Sequence, residues 1–123
     1  MPIIDLHTHS EFSDGTSSPK EVVHGALKSG VQIYALTDHD TTDGVLQAQK
    51  ICQEHRIAFV NGVEISTRDH DHLHFTAYNI DINNSDFQTF LAQNRQKRKT
   101  RILKIILQLQ QAGIALTEED VFS

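Results

Sequence analysis

The sequence predicts an α/β domain of parallel strands joined by crossover helices, and three observations carry that reading. Short apolar runs recur in order at residues 3–6, 31–36, 57–60 and 74–80. Segments with helical apolar periodicity separate the first three. Each run leads into, or opens with, side chains of metal-ligand type, and α/β folds build their sites at strand ends. Strand, helix, strand, helix, strand within about 60 residues implies parallel strands with right-handed crossovers.

The first strand is residues 3–6. After it, Ser18-Pro19-Lys20-Glu21 is a capping box with proline in the first turn, which starts a helix. Val22, Val23, Ala26 and Leu27 form its apolar stripe and Gly30 its stop. Strand two is 31–36. Thr42 or Asp43 is expected to cap a second helix with a weaker stripe of Val45, Leu46, Ala48 and Cys52. Strand three begins near Ile57, and strand four is the run opened by His74. Ser85 is expected to cap a long helix over about 86–112, closed by Gly113, and Thr117-Glu118-Glu119-Asp120 starts another. No repeat, low-complexity tract or linker divides the chain, so residues 1–123 are read as one domain.

Bulk properties narrow the function classes. With 123 residues, 38% of them hydrophobic, the chain can bury a core. Eleven basic against sixteen acidic side chains give a net charge of −5, which argues against a generally basic nucleic-acid surface. Yet Arg95, Lys97, Arg98, Lys99, Arg101 and Lys104 crowd one stretch of the long helix. Cys52 is alone, so no internal disulfide forms. No charged leader precedes an apolar stretch, and nothing approaches the about 18 apolar residues of a membrane span. The expectation is a soluble, cytoplasmic protein without a membrane partner.

The chemistry-bearing residues cluster at the strand ends. Asp5-Leu6-His7-Thr8-His9 runs on to Ser13-Asp14, and imidazoles at i and i+2 of an extended chain point to one face. Thr37-Asp38-His39-Asp40 follows strand two, Asn61-Gly62-Val63-Glu64 follows strand three, and His74 opens strand four. Asp5 and Asp38 precede ligand-type histidines and are expected to accept an imidazole N–H or to brace a loop. Histidine and carboxylate without thiolate suits Mn, Fe or Zn better than the all-oxygen shells of Mg or Ca. Clustered cations of this kind lower the pKa of bound water and clamp a phosphate, which is what phosphate-ester hydrolysis needs. His70, His72 and His74 would share one face if strand four extended back that far, although His70 and His72 interleave with Asp69 and Asp71 and read as a polar, exposed turn; His24 and His55 receive no role.

Stepping in sevens along the long helix puts Leu91, Arg98 and Ile105 on one face, with Asn94, Arg101 and Ile102 beside them. An arginine on an apolar stripe needs an anion, and the planar fork of Arg98 matches a substrate phosphate. Arg95 and Arg101 are secondary substrate-binding candidates, while Lys97, Lys99 and Lys104 read as a solvated face.

These motifs in series, Asp5-Leu-His-Thr-His9 with Ser13-Asp14-Gly15, Thr37-Asp-His-Asp40 with Gly44, Gly62-Val-Glu-Ile-Ser66, and His74 ahead of Asn79-Ile-Asp81, resemble the PHP (polymerase and histidinol phosphatase) superfamily. They are most similar to its stand-alone branch of nucleoside 3′,5′-bisphosphate phosphatases and 5′-to-3′ exoribonucleases. The resemblance implies the N-terminal part of a distorted seven-stranded β/α barrel, since the family takes further ligands from later strands. It implies two or three divalent metals, Mn favoured, with His7 and His9 on one, Asp14 and His39 on a second, His74 on a third, and Glu64 bridging. Asp14, His39 and Glu64 are the implied catalytic residues. The substrate would be a phosphorylated small molecule, a nucleotide or a short RNA end. Another activity of the superfamily, such as histidinol-phosphate phosphatase or a polymerase-associated domain, and a catalytically incomplete metal-binding module are the alternatives. The apolar stripe of Leu91, Ile102, Ile105 and Leu109 is expected to promote self-association.

Overall fold

The capping box at Ser18 forms as its sequence predicts. In the computed structural model, which describes residues 1–67 and 73–122, Ser18 Oγ accepts from the Glu21 amide and the Glu21 carboxylate accepts from the Ser18 amide at 2.8 Å. Helix α1 (Pro19–Lys28) runs from that cap to a left-handed Gly30, φ +77°, a conformation glycine adopts without Cβ strain. Strand β1 (Ile3–Asp5) precedes it and β2 (Val31–Tyr34) follows. Next come α2 (Val45–Glu54), β3 (Ala58–Phe59), β4 (Gly62–Ser66), β5 (His74–Tyr78), α3 (Ser85–Gln111) and α4 (Glu118–Phe122).

The first three strands form a parallel sheet in the order β1-β2-β3, with α1 and α2 as the crossovers. The two helices pack on each other, so both cover one face of the sheet. Val23 and Ala26 of α1, Ala48, Ile51 and Cys52 of α2, and Val31, Tyr34, Leu36 and Ile57 make the core between them. Burial pushes the Cys52 thiol up to about 11, so it stays protonated. Leu46, placed on the α2 stripe by periodicity, is instead exposed, and Ile51 takes the inward position.

The parallel reading stops at β3. Residues 61–64, taken above for the loop after strand three, open a further strand: β3 is two residues long, the chain jogs at Asn61, and β4 then pairs antiparallel with β5. Glu64 is therefore in mid-strand, buried, and opposite Thr76. One parallel bridge between His39 and Glu64 stitches this hairpin to the segment that follows β2. Its hydrogen bonds are Asp40 N to Glu64 O, 2.8 Å, and Glu64 N to Asp38 O, 3.1 Å.

Two caps also differ from expectation. Gly44 is the N-cap of α2, with no side-chain hydrogen bond, in place of Thr42 or Asp43. Asn84 rather than Ser85 caps α3, its Oδ1 accepting from Phe87 N at 2.9 Å. Helix α3 lies across the strand ends, tied down by Gln88 to Thr42 (2.8 Å), Arg95 to the Asp40 carbonyl (2.6 Å) and Arg98 to Ser66 Oγ (2.7 Å). Leu91, Asn94 and Ile106 are its buried residues; Ile105, expected on the inner face, is exposed. Among the described residues no helix is long and apolar enough to cross a membrane.

Candidate metal centre

Glu64 sits at the meeting point of four imidazoles. Its Oε2 lies 2.7 Å from His7 Nε2, 3.1 Å from His9 Nε2 and 3.8 Å from His39 Nε2, and its Oε1 lies 3.1 Å from His74 Nδ1. The fold explains the convergence. His7 and His9 leave the end of β1 on one face, His39 leaves the end of β2, and Glu64 and His74 face each other's strands across the hairpin. Asp14 closes the outer side, 3.3 Å from His9 Nδ1 and 3.5 Å from His39 Nε2. The ring centroids of His9 and His39 are 4.7 Å apart and stacked; those of His39 and His74 are 4.8 Å apart and edge-on.

These donors form three overlapping sets: His7, His9 and Glu64; His9, Asp14 and His39; and His39, Glu64 and His74. Within each set the ligand atoms lie within 4.8 Å of one another, the spacing a shared cation needs. Overlap through His9, His39 and Glu64 describes a centre for more than one metal ion rather than three separate sites.

Electrostatics favour the ligating forms. Burial is the main cause holding His39 below the usual histidine value, and the Arg98 charge adds to it against the pull of Glu64 and Asp14. A neutral imidazole with a free lone pair results. For Glu64, burial pushes the carboxyl up, but the His7 hydrogen bond and the fields of His39, His7 and His9 outweigh it, leaving the group below its ordinary value and ionised. His39 Nδ1 is buried with no hydrogen-bond partner.

The loop carrying His9 and Asp14 is shaped by Asp38. Buried, it accepts from Ser10 N at 2.6 Å, Ser10 Oγ at 2.7 Å and Ser13 Oγ at 2.7 Å. Of the two roles expected for Asp38, bracing a loop is the one its contacts describe. Asp5 accepts from the His7 amide at 3.4 Å, also a backbone contact. Gly15 completes the turn through its amide to Ser10 O at 3.0 Å, and a Cβ there would stand 2.9 Å from the backbone of His9 and Ser10, so only glycine fits.

Asp40 is a site residue to which the sequence assigned no role. It is fully buried at φ +53°, a left-handed backbone that aspartate tolerates better than most side chains. Its Oδ1 accepts from Ser66 N (3.0 Å) and Asn94 Nδ2 (3.2 Å), and its Oδ2 faces Arg98 Nη2 at 3.8 Å. The anion that Arg98 needs is thus supplied in part by the protein itself. Arg98 also lines a cleft of about 400 Å³ with Asp14, His39, His74, Lys97 and Arg101. Arg95 borders a second cleft. Lys99, read as solvated, holds its ammonium 5.6 Å from the Phe122 ring centroid. His70 and His72 lie outside the described residues.

The profile of the PHP domain family matches residues 5–113. A 5′-3′ exoribonuclease of Haemophilus influenzae is 39% identical over 111 residues, covering 89% of this chain and 40% of the relative. A 3′,5′-nucleoside bisphosphate phosphatase of Chromobacterium violaceum is 37% identical over 116 residues, covering 94% and 41%. A solved structure from Bifidobacterium adolescentis, to which metal-dependent phosphoesterase activity has been ascribed, superposes with a TM-score of 0.86 at 33% identity, over 98% of this chain and 42% of that one. The chain spans about two fifths of the length of these relatives. With a family match over most of its length, and the histidines and carboxylates of its motifs gathered where the parallel sheet meets the β4–β5 hairpin, the chain belongs to the PHP domain family.

Proposed function

We propose that this chain supplies a metal centre for the hydrolysis of phosphate esters, acting on nucleoside 3′,5′-bisphosphates or on the 5′ ends of short RNA. The carrying observation is the Glu64 carboxylate set among four imidazoles, two of which, His39 and His74, line one cleft with Arg98. In this reading His7 and His9 hold one cation, Asp14 and His39 a second and His74 a third, with Glu64 shared between them. The histidine and carboxylate donors suit Mn, Fe or Zn, and Mn is the occupant that the family resemblance favours. Bound there, the cations supply a water nucleophile at neutral pH and neutralise the phosphate oxygens.

The chain's own side chains orient the ester. Arg98, aimed by Ser66 and Asp40, presents its fork to the phosphate, while Arg101 and Lys97 line the same cleft and Arg95 flanks it. Asp38 and Ser10 keep the His9–Asp14 loop in register with His39. The named activities of the exoribonuclease and bisphosphate phosphatase relatives support the substrate class. Of the stripe expected to promote self-association, Leu91 is buried within the chain; exposed Ile105, with Leu107 on the same helix and Ile3 and Ile4 on β1, is the apolar surface that supports it.

Release of inorganic phosphate from adenosine 3′,5′-bisphosphate by the Mn-loaded protein tests the proposal. Turnover that EDTA and His39→Ala both abolish is expected. Metal binding with no hydrolysis of any phosphate ester would leave the metal-binding module instead.

A further inference from the structure

Two clefts meet at His39, Arg98 and Ile102, and their linings differ in kind. The cleft of about 400 Å³ holds the metal-ligand side chains Asp14 and His74 with Lys97, Arg98 and Arg101, a cationic wall facing a cation-binding one. The other, of about 650 Å³, is lined by Phe12, Ile102 and Phe122, with Arg95 and Lys99 offset by Glu118 and Glu119. The first suits a phosphate. The second has room for a nucleoside, and its nearly balanced charges suit a group that is planar, amphipathic and uncharged.

We propose that the second cleft seats the nucleobase of the substrate and that Phe12 is its stacking surface. This rests on the nucleotide reading above and goes beyond it by fixing which side of Arg98 the base occupies. Phe12 lies in the loop between His9 and Asp14, so its ring is set by the same backbone that sets the metal donors. The Phe12 amide donates to Ser10 Oγ at 3.3 Å, and Ser10 is itself anchored on Asp38. Gly44 backs the ring: a Cβ there would stand 3.1 Å from Phe12 Cδ2. With its edge supported and 43% of its surface open, Phe12 offers a fixed aromatic plane one residue from Ser13 and two from Asp14. Every base has a π-face, so such a plane accepts any of them, and neighbouring arginine adds cation–π attraction. A phosphate held beside His39 and Arg98 and a base against Phe12 are then two parts of one ligand spanning both clefts.

The test compares Phe12→Ala and Phe12→Tyr with the unaltered protein on two Mn-dependent substrates, adenosine 3′,5′-bisphosphate and its base-free ribose 3,5-bisphosphate counterpart. Phe12→Ala is expected to raise KM about tenfold to a hundredfold for the nucleotide and less than about twofold for the base-free ester, with Phe12→Tyr restoring the nucleotide value. Equal losses on both substrates, or none on either, would overturn the assignment. Binding of adenosine, which carries no phosphate, is followed separately by ligand-observed NMR. Adenosine signals that respond to the unaltered protein but not to Phe12→Ala support the base site even if no ester is hydrolysed, in which case the hydrolytic reading alone fails. Identical adenosine signals with both proteins would overturn the base site whatever the enzymology shows.

Discussion

The carboxylate of Asp40 faces the guanidinium of Arg98 across 3.8 Å, from a fully buried position in the loop after β2. Ser66 and Asn94 occupy the other Asp40 oxygen, so Oδ2 has this cation and no hydrogen-bond donor. Arg98 is consequently aimed by a protein anion before any substrate arrives. Holding a charged fork in place in advance is how a site avoids ordering it at the moment of binding.

Arg98→Ala is expected to cost about 2 to 4 kcal/mol in kcat/KM for a phosphate ester while leaving bound metal unchanged. Removing the cation also leaves a buried carboxylate oxygen unmatched, so a stability loss of about 1 to 3 kcal/mol accompanies it in denaturant titration. Arg98→Lys keeps a charge for Asp40 but not the fork, and should recover stability better than activity. Lys104→Ala, exposed on the same helix, is the control and should match the unaltered protein. Unchanged kinetics for Arg98→Ala would remove this arginine from phosphate binding.

Asp38 and His39 are neighbours in sequence with different expected failures. His39→Ala deletes a donor shared by two of the three ligand sets and should eliminate turnover and lower metal content. Asp38→Asn weakens the grip on Ser10 and Ser13 and should reduce metal affinity about 10- to 100-fold while retaining measurable binding. Calorimetric titration with Mn(II) separates them; identical behaviour would mean that Asp38 does more than hold the loop.

Metal should stabilise the fold. Mn(II) at about a hundred times its dissociation constant is expected to add about 2.7 kcal/mol, read as a rise in melting temperature that EDTA reverses. Less than about a tenth of an equivalent of Mn, Fe or Zn retained after chelator-free dialysis would contradict the multi-metal centre.

Tyr34 sets an alkaline limit. Burial pushes its hydroxyl up to about 12 despite the 2.7 Å bond with Thr8, so the folded state favours the protonated phenol. A folded value above the unfolded one of about 10 gives stability that is intact below pH 10 and lost as pH rises toward 12, amounting to about 2 to 3 kcal/mol. Stability curves of the unaltered protein and Tyr34→Phe should converge over that interval. Parallel curves would show that the phenol does not limit alkaline stability.

Local signals were legible where the chemistry is local. The Ser18 capping box, the Gly30 stop and the His7 and His9 pair on one face depend on residues within a few positions of each other, and all appear as read. Strand β4 was hidden because Asn61-Gly62 carries a turn signal, while β3 is too short to announce that another strand follows directly. Asn84 and Ser85 are adjacent residues of equal capping ability, so sequence could not choose between them. Asp40 was opaque for a different reason. A charged residue in a loop is ordinarily solvated, and its burial is made possible by Asn94, Arg95 and Arg98, more than fifty residues later.

The bridge between His39 and Glu64 has a kinetic consequence. It is the seam at which the parallel sheet meets the hairpin, and it closes only after β2 and β4, distant in the chain, find each other. Non-local pairings of this kind are slow to nucleate and early to open. The Asp40 and Glu64 amides are therefore expected to exchange with deuterium sooner than those of β2 in metal-free protein. A cation shared by His39 and Glu64 would act as a clasp on that joint, so its clearest dynamic signature should be slower opening of the seam rather than a tighter core.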